Sequence, residues 1–139
     1  MSSERVVVET VVEKDIAQVW DCWTNPEHIV NWTFASADWH CPAATNDLQV
    51  GGTFSSTMAA KDGSMQFDFS GTYSEVVPNE KIAYAMEDGR KVEVTFSIVE
   101  NGVSVVESFD PEQTHPREMQ QAGWQAILNN YKAYVESIA

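Results

Sequence analysis

Residues 81–109 read KIAYAMEDGRKVEVTFSIVENGVSVVESF, and this stretch decides the fold. Ile82, Tyr84 and Met86 alternate with polar or small residues. Val92, Val94, Phe96 and Ile98 do so next, then Val103, Val105, Glu107 and Phe109. A period of two over runs this long marks strands with one buried face. Asp88-Gly89 and Asn101-Gly102 separate the runs. Such pairs favour two-residue hairpin turns, because their residues accept positive φ. Three antiparallel strands follow, with register set by the turns.

The same pattern extends toward the N-terminus. Met65, Phe67, Phe69, Gly71 and Tyr73 alternate along a longer strand, and Pro78-Asn79 turns the chain after it. Phe54, Ser56 and Met58 share one face of the strand before, and Asp62-Gly63 is another hairpin signal. The spacing therefore predicts a five-stranded antiparallel meander from Thr53 to Phe109. Gly51-Gly52 marks a tight turn into it. Residues 32–52 show no clear period and read as a long loop that carries Trp32, Phe34 and Trp39. A loop of that length in a small domain is usually functional or packed on itself.

Helices flank the meander. Asp15 is a helix cap with Gln18 three residues on, and Ile16, Val19, Trp20 and Trp23 form one apolar stripe. Asn25-Pro26-Glu27 caps and restarts a second short helix. Residues 4–13 read as a strand ahead of both. At the other end Trp124, Ile127, Leu128, Tyr131, Val135 and Ile138 repeat at three- and four-residue steps. Thr114 or His115 is the expected cap, with Pro116 in the first turn. A helix of that length spans about 30 Å, enough to cross a sheet. Strand, two short helices, five strands and a long helix make an α+β fold, with the first strand pairing at an edge to give six.

Composition bounds the function. The chain has 139 residues, 43% hydrophobic, and a formal net charge of −13. This is globular composition and suits a single domain over residues 1–139. The eight basic residues form no stripe, so nucleic acid and anionic membrane surfaces are excluded as partners. No apolar run approaches the roughly 20 residues that span a bilayer. The first five residues lack the apolar core of a secretory signal, and two cysteines make no disulfide framework. The expectation is a cytoplasmic, reduced protein.

The ordered motifs resemble the SRPBCC (START-like, birch-pollen-allergen-like) superfamily, in the branch similar to the activator of heat-shock-protein ATPase. Ile16-Ala17-Gln18-Val19-Trp20 with Asn25-Pro26-Glu27 resembles the family's opening helices. Trp32 followed by Asp47-Leu48-Gln49-Val50-Gly51-Gly52-Thr53-Phe54 resembles its D-L-x-V-G-G-x-F motif. Phe69-x-Gly71-x-Tyr73 and Pro78-x-Glu80-x-Ile82 resemble the middle strands, and Gly123-Trp124-x-x-Ile127-Leu128 resembles the final helix. The resemblance spans about residues 5–138. It implies a helix-grip fold, a curved six-stranded antiparallel sheet around the C-terminal helix, with a cavity between them for an apolar ligand. A minority of the family are cyclases or dehydratases. Chaperone activation is not expected, because the eukaryotic cochaperones carry an extra N-terminal domain.

The inward faces offer Phe54, Met58, Phe67, Phe69, Tyr84, Met86 and Phe96, and the helix offers Trp124 and Leu128. They line a ligand cavity or fill a core. Gly123 costs a helix about 1 kcal/mol relative to Ala, and on the inner face it leaves space. Trp32 and Trp39 are candidates for the cavity mouth, whereas Trp20 and Trp23 pack the short helices on the sheet. Glu107 is the sharpest polar candidate. Strict alternation points it inward, where desolvation would raise its pKa, while a bulge would put Val106 there instead. His40 is a second acid–base candidate, but it and Cys41 are neighbours that point apart in an extended segment. No metal-ligand spacing or phosphate loop is present, so no metal or cofactor is expected. Three functions fit: binding of a small apolar or amphipathic ligand, a polyketide cyclase- or dehydratase-like enzyme in the same cavity, or a partner-binding module. Monomer and homodimer are both open.

Overall fold

The computed structural model describes residues 5–112 and 114–138. Strand β1 (Val6–Val12) leads into helices α1 (Ile16–Thr24) and α2 (Pro26–Ile29). Strands β2 (Trp39–Asn46), β3 (Thr53–Ala60), β4 (Gln66–Val77), β5 (Lys81–Met86), β6 (Lys91–Val99) and β7 (Gly102–Phe109) follow, then helix α3 (Arg117–Ser137). The architecture is an α+β helix-grip. One antiparallel sheet, ordered β1-β7-β6-β5-β4-β3-β2, curls around α3.

The sheet has seven strands, not the six expected. The extra one, β2, lies in the segment read as a loop. It is an edge strand, and its register shifts between His40 and Ala43 around Pro42. Proline lacks the ladder N–H and is tolerated at edges and bulges, and the bulge breaks the period of two.

The turns fall where the dipeptides stood. Gly63 and Gly89 take φ of +80° and +92°, and Asn79 takes +65°. Gly102 has φ +150°, and a Cβ there would run into the Val12 carbonyl. A second bulge, between Tyr73 and Glu75, adds bend to β4.

Capping explains the short helices. Asp15 accepts the Gln18 N–H at 2.9 Å, and Asn25 accepts the Glu27 N–H at 3.0 Å while ending α1. The indole of Trp32 donates to the Cys22 carbonyl at 2.9 Å, and the Tyr131 hydroxyl to the Val19 carbonyl at 2.5 Å. These bonds tie α1 to the segment after α2 and to α3 respectively. Helix α3 starts later than expected: Pro116 occupies the cap position and makes no side-chain cap bond. Gln120 instead reaches back to the carbonyls of Glu112 and His115.

Polar side chains clamp α3 to the free edge of β1. Gln121 donates to the Val7 carbonyl, Gln125 exchanges two bonds with the Glu9 backbone, and Lys132 donates to the Val11 carbonyl. Glu136 accepts the Glu13 N–H at 2.9 Å, just beyond the strand. The edge groups that would otherwise recruit another chain are thereby occupied. The opposite stripe of α3, Leu128, Tyr131 and Val135, is fully buried in the core with Val6, Val8, Val12 and Phe109.

Candidate functional site

The concave face of the sheet and α3 enclose a cavity of about 560 Å³. That size lies within the range of small-molecule sites, about 300–1,000 Å³. Its walls are mostly apolar. Phe54, Met58, Phe67, Phe69, Tyr84 and Met86 come from β3, β4 and β5, and Gly123, Trp124 and Leu128 come from α3. Trp32 and Trp39 close the side under α2 and β2, and Glu107 faces in from β7.

Strand register orders the cavity from floor to mouth. Glu107 pairs with Val94, which pairs with Ile82. One step along lie Phe109, Val92 and Tyr84, then Met86, Gly71 and Phe54. Ser56 with Phe69 and Met58 with Phe67 complete the series. Phe67, 48% exposed, meets the Trp39 ring at 5.8 Å and marks the open end. Glu107 sits at the floor. Arg90, Glu112, His115, Met119 and Gln120 also border the cavity. Arg90 is held by Asp88 at 2.7 Å, and His115 contacts Glu112.

The walls are braced aromatics. Trp124 stacks on Phe109 at 3.8 Å and meets Phe69 edge-on at 6.0 Å. Phe54 meets Tyr84 edge-on at 4.7 Å. Tyr73 is pinned by its hydroxyl, which donates to Asn46 at 2.5 Å, while Asn46 donates to the Thr24 carbonyl at 2.6 Å. A Cβ added to Gly123 would meet nothing within 4 Å.

Glu107 is 7% exposed, and burial pushes its carboxyl from 4.5 up to about 8. It is therefore mostly protonated at neutral pH. Burial also raises the Tyr84 phenol well above its ordinary value, with the Glu107 charge as a second cause. Among the described residues, the side chains of Glu107, Tyr84 and Ser56 have no hydrogen-bond or ion-pair partner, and each is more than nine-tenths buried. Among the described residues no fully enclosed side-chain oxygen or nitrogen lacks a partner, so these oxygens open onto the cavity.

Two candidates lie elsewhere. His40 is solvent-exposed on β2 and does not border the cavity. Phe96 packs beneath α1, 5.3 Å from Trp20 and 5.7 Å from Trp23, and does not reach the cavity either. Burial pushes the Cys22 thiol up to about 11 and raises Cys41 as well, so neither is an activated nucleophile. Among the described residues, no group of three or more His, Cys, Asp or Glu is placed to hold a metal ion.

Sequence reasoning missed several lining residues. Tyr73 and Ile82 lie on the alternating faces already read as inward, so the signal was present. Trp23 was assigned to packing; it contacts Phe96, Trp32 and Tyr131 and also borders the cavity. Thr33 and Phe34 lie in an aperiodic segment, where no period assigns a side chain to a face.

A curled sheet gripping a long helix around an apolar cavity defines the helix-grip class. The family described as Activator of Hsp90 ATPase homolog 1-like protein matches residues 14–136. The chain belongs to that family, within the SRPBCC superfamily, whose fold typically holds a ligand cavity. Similar structures include the solution structure of an AHSA1-like protein from Aeromonas hydrophila. It is 45% identical with a TM-score of 0.92, over 96% of this chain and 93% of that one. A protein from Cytophaga hutchinsonii is 55% identical with a TM-score of 0.82, over 95% and 92% of the two chains. A protein from Chromobacterium violaceum shares the fold at 22% identity and a TM-score of 0.86, over 98% and 100%. The curated proteins compared include no match. No helix among the described residues is long and apolar enough to cross a membrane.

Proposed function

We propose that this protein binds a small apolar or amphipathic ligand in the cavity between the sheet and α3. The observation that carries this reading is a 560 Å³ space with aromatic walls and a single carboxyl, Glu107, at its floor. An apolar wall supplies most of the binding free energy, and the few polar groups fix orientation. The test is native mass spectrometry of the purified protein against its denatured mass. A retained small molecule supports the reading and gives its mass. A bare protein that also leaves the fluorescence of the uncharged dye Nile red, and its own tryptophan emission, unchanged on mixing rejects it.

One observation favours an enzyme in the same cavity. A carboxyl protonated at neutral pH and shielded from water is a general acid suited to dehydration or cyclisation of a bound carbonyl compound. Glu107→Gln then abolishes turnover and spares binding.

A further inference from the structure

The floor of the cavity sets what the ligand's buried end must be, and this step rests on the binding reading above. Glu107 and Tyr84 lie on neighbouring rows of the sheet, two strands apart. Each is more than nine-tenths buried, and each oxygen faces cavity space with no protein partner among the described residues. Buried polar groups are satisfied in nearly all folded proteins, so two open ones in an apolar chamber identify the contacts kept for a guest. Ser56, two rows nearer the mouth, is a third.

The charge state decides the chemistry. Val8 and Val94 flank Glu107 in the sheet, and Trp124 and Leu128 line the cavity from α3. No cation stands among them. Tyr84 is the titratable group that senses the Glu107 charge; Tyr73 is bonded to Asn46, and Arg90, Glu112 and His115 also border the cavity. The carboxyl is mostly neutral at pH 7 and the phenol wholly so, and both present O–H donors.

We propose that the cavity selects an uncharged ligand that enters with a hydrogen-bond acceptor, a carbonyl or ether oxygen, leading toward the O–H groups of Glu107 and Tyr84. An anionic head is rejected twice. It would lose its hydration in an apolar space, and the protein's net charge of −13 repels it on approach. An ammonium head would require two desolvated charges, a cost that the ion pair need not recover.

Four probes sharing one ring system separate the possibilities: 2-acetylnaphthalene, 2-ethylnaphthalene, 2-naphthoate and 2-naphthylmethylamine. Affinities are measured at pH 6.5 by quenching of tryptophan fluorescence, on the wild type, Glu107→Met and Glu107→Gln. The ketone is expected to bind about two- to tenfold tighter than the hydrocarbon, the yield of one net hydrogen bond. Naphthoate is expected to bind at least tenfold weaker than the ketone. Glu107→Met removes the ketone's advantage over the hydrocarbon, whereas Glu107→Gln, which keeps a donor, retains it. A role in shaping the cavity alone would move ketone and hydrocarbon together. Should Glu107→Met fail to fold, the wild type carries the test: the ketone's advantage shrinks between pH 6.5 and 9.5 as Glu107 ionises. Amine binding tighter than ketone overturns the inference. Equal affinities for all four probes overturn it too, while leaving cavity binding intact. Binding of none overturns both.

Discussion

The sharpest consequence of a carboxyl at the cavity floor is a stability that falls with pH. Glu107 titrates at about 8 in the fold against 4.5 when solvated, because burial disfavours its charged form. The folded state therefore holds a proton that the unfolded state has released between those values, and stability drops as pH rises through that window. The loss begins above the unfolded value and saturates above the folded one. Linkage gives about 2–3 kcal/mol between pH 5 and 7, and about 4 kcal/mol between pH 5 and 9. Glu107→Gln keeps the shape and removes the proton equilibrium. The assay is urea unfolding of both proteins from pH 5 to 9. The other titrating groups are common to both, so the difference between the two curves isolates Glu107. The variant should gain on the wild type steadily as pH rises. A difference that stays flat within about 1 kcal/mol over that range would mean that Glu107 ionises normally, and both the buried floor and its donor role would be wrong.

Three further outcomes test the walls. Gly123→Ala adds a methyl where nothing lies within 4 Å and restores helix propensity. It should stabilise by about 1 kcal/mol, a rise in Tm of roughly 2–4 °C by calorimetry. Gly123→Leu should keep that stability and weaken 2-acetylnaphthalene binding at least tenfold, because its side chain occupies the ligand's space. Tyr73→Phe breaks the chain from Tyr73 through Asn46 to Thr24 and should cost about 1–2 kcal/mol in urea unfolding.

Most of the sheet was legible because its turns are local. Asp62-Gly63, Asp88-Gly89 and Asn101-Gly102 each place glycine where φ is positive, and that requirement is written in two residues. Alternation alone left Glu107 inward or, across a bulge, outward; β7 runs without a bulge from Val103 to Phe109, and Glu107 faces in. Strand β2 was hidden for the converse reason. Pro42 sits in a register shift, and the strand's partner, β3, is the only reason it extends. Phe96 shows the limit of alternation, which assigns a face but not a neighbour. Its face is the cavity's face, yet α1 covers that part of the sheet with Trp20 and Trp23. The polar part of the lining was out of reach for a related reason. Arg90 comes from a hairpin, Glu112 and His115 from the segment before α3, and only the closed fold brings them together.

Why the cavity stays open, when apolar faces usually close on one another, follows from where α3 is tied. Its polar stripe from Gln121 to Glu136 is bonded to β1 and the residue just past it, at one edge of the sheet. The helix therefore packs closely along β1 and leaves β3, β4 and β5 facing space. Sliding α3 over the middle strands would break those bonds and expose the edge of β1, at about 0.5–1.5 kcal/mol for each neutral bond lost. The sheet cannot move inward freely either. Trp124 stacked on Phe109 and Phe54 set against Tyr84 already fix the ring positions, and Asn46 pins Tyr73 behind them. Opposed walls that are each braced from outside can share an empty interval. Gly123 lines the space from α3 without a side chain to fill it, and glycine stands there at a cost to the helix. The space is thus a consequence of the anchoring of α3, and the donors at its floor give that space a direction.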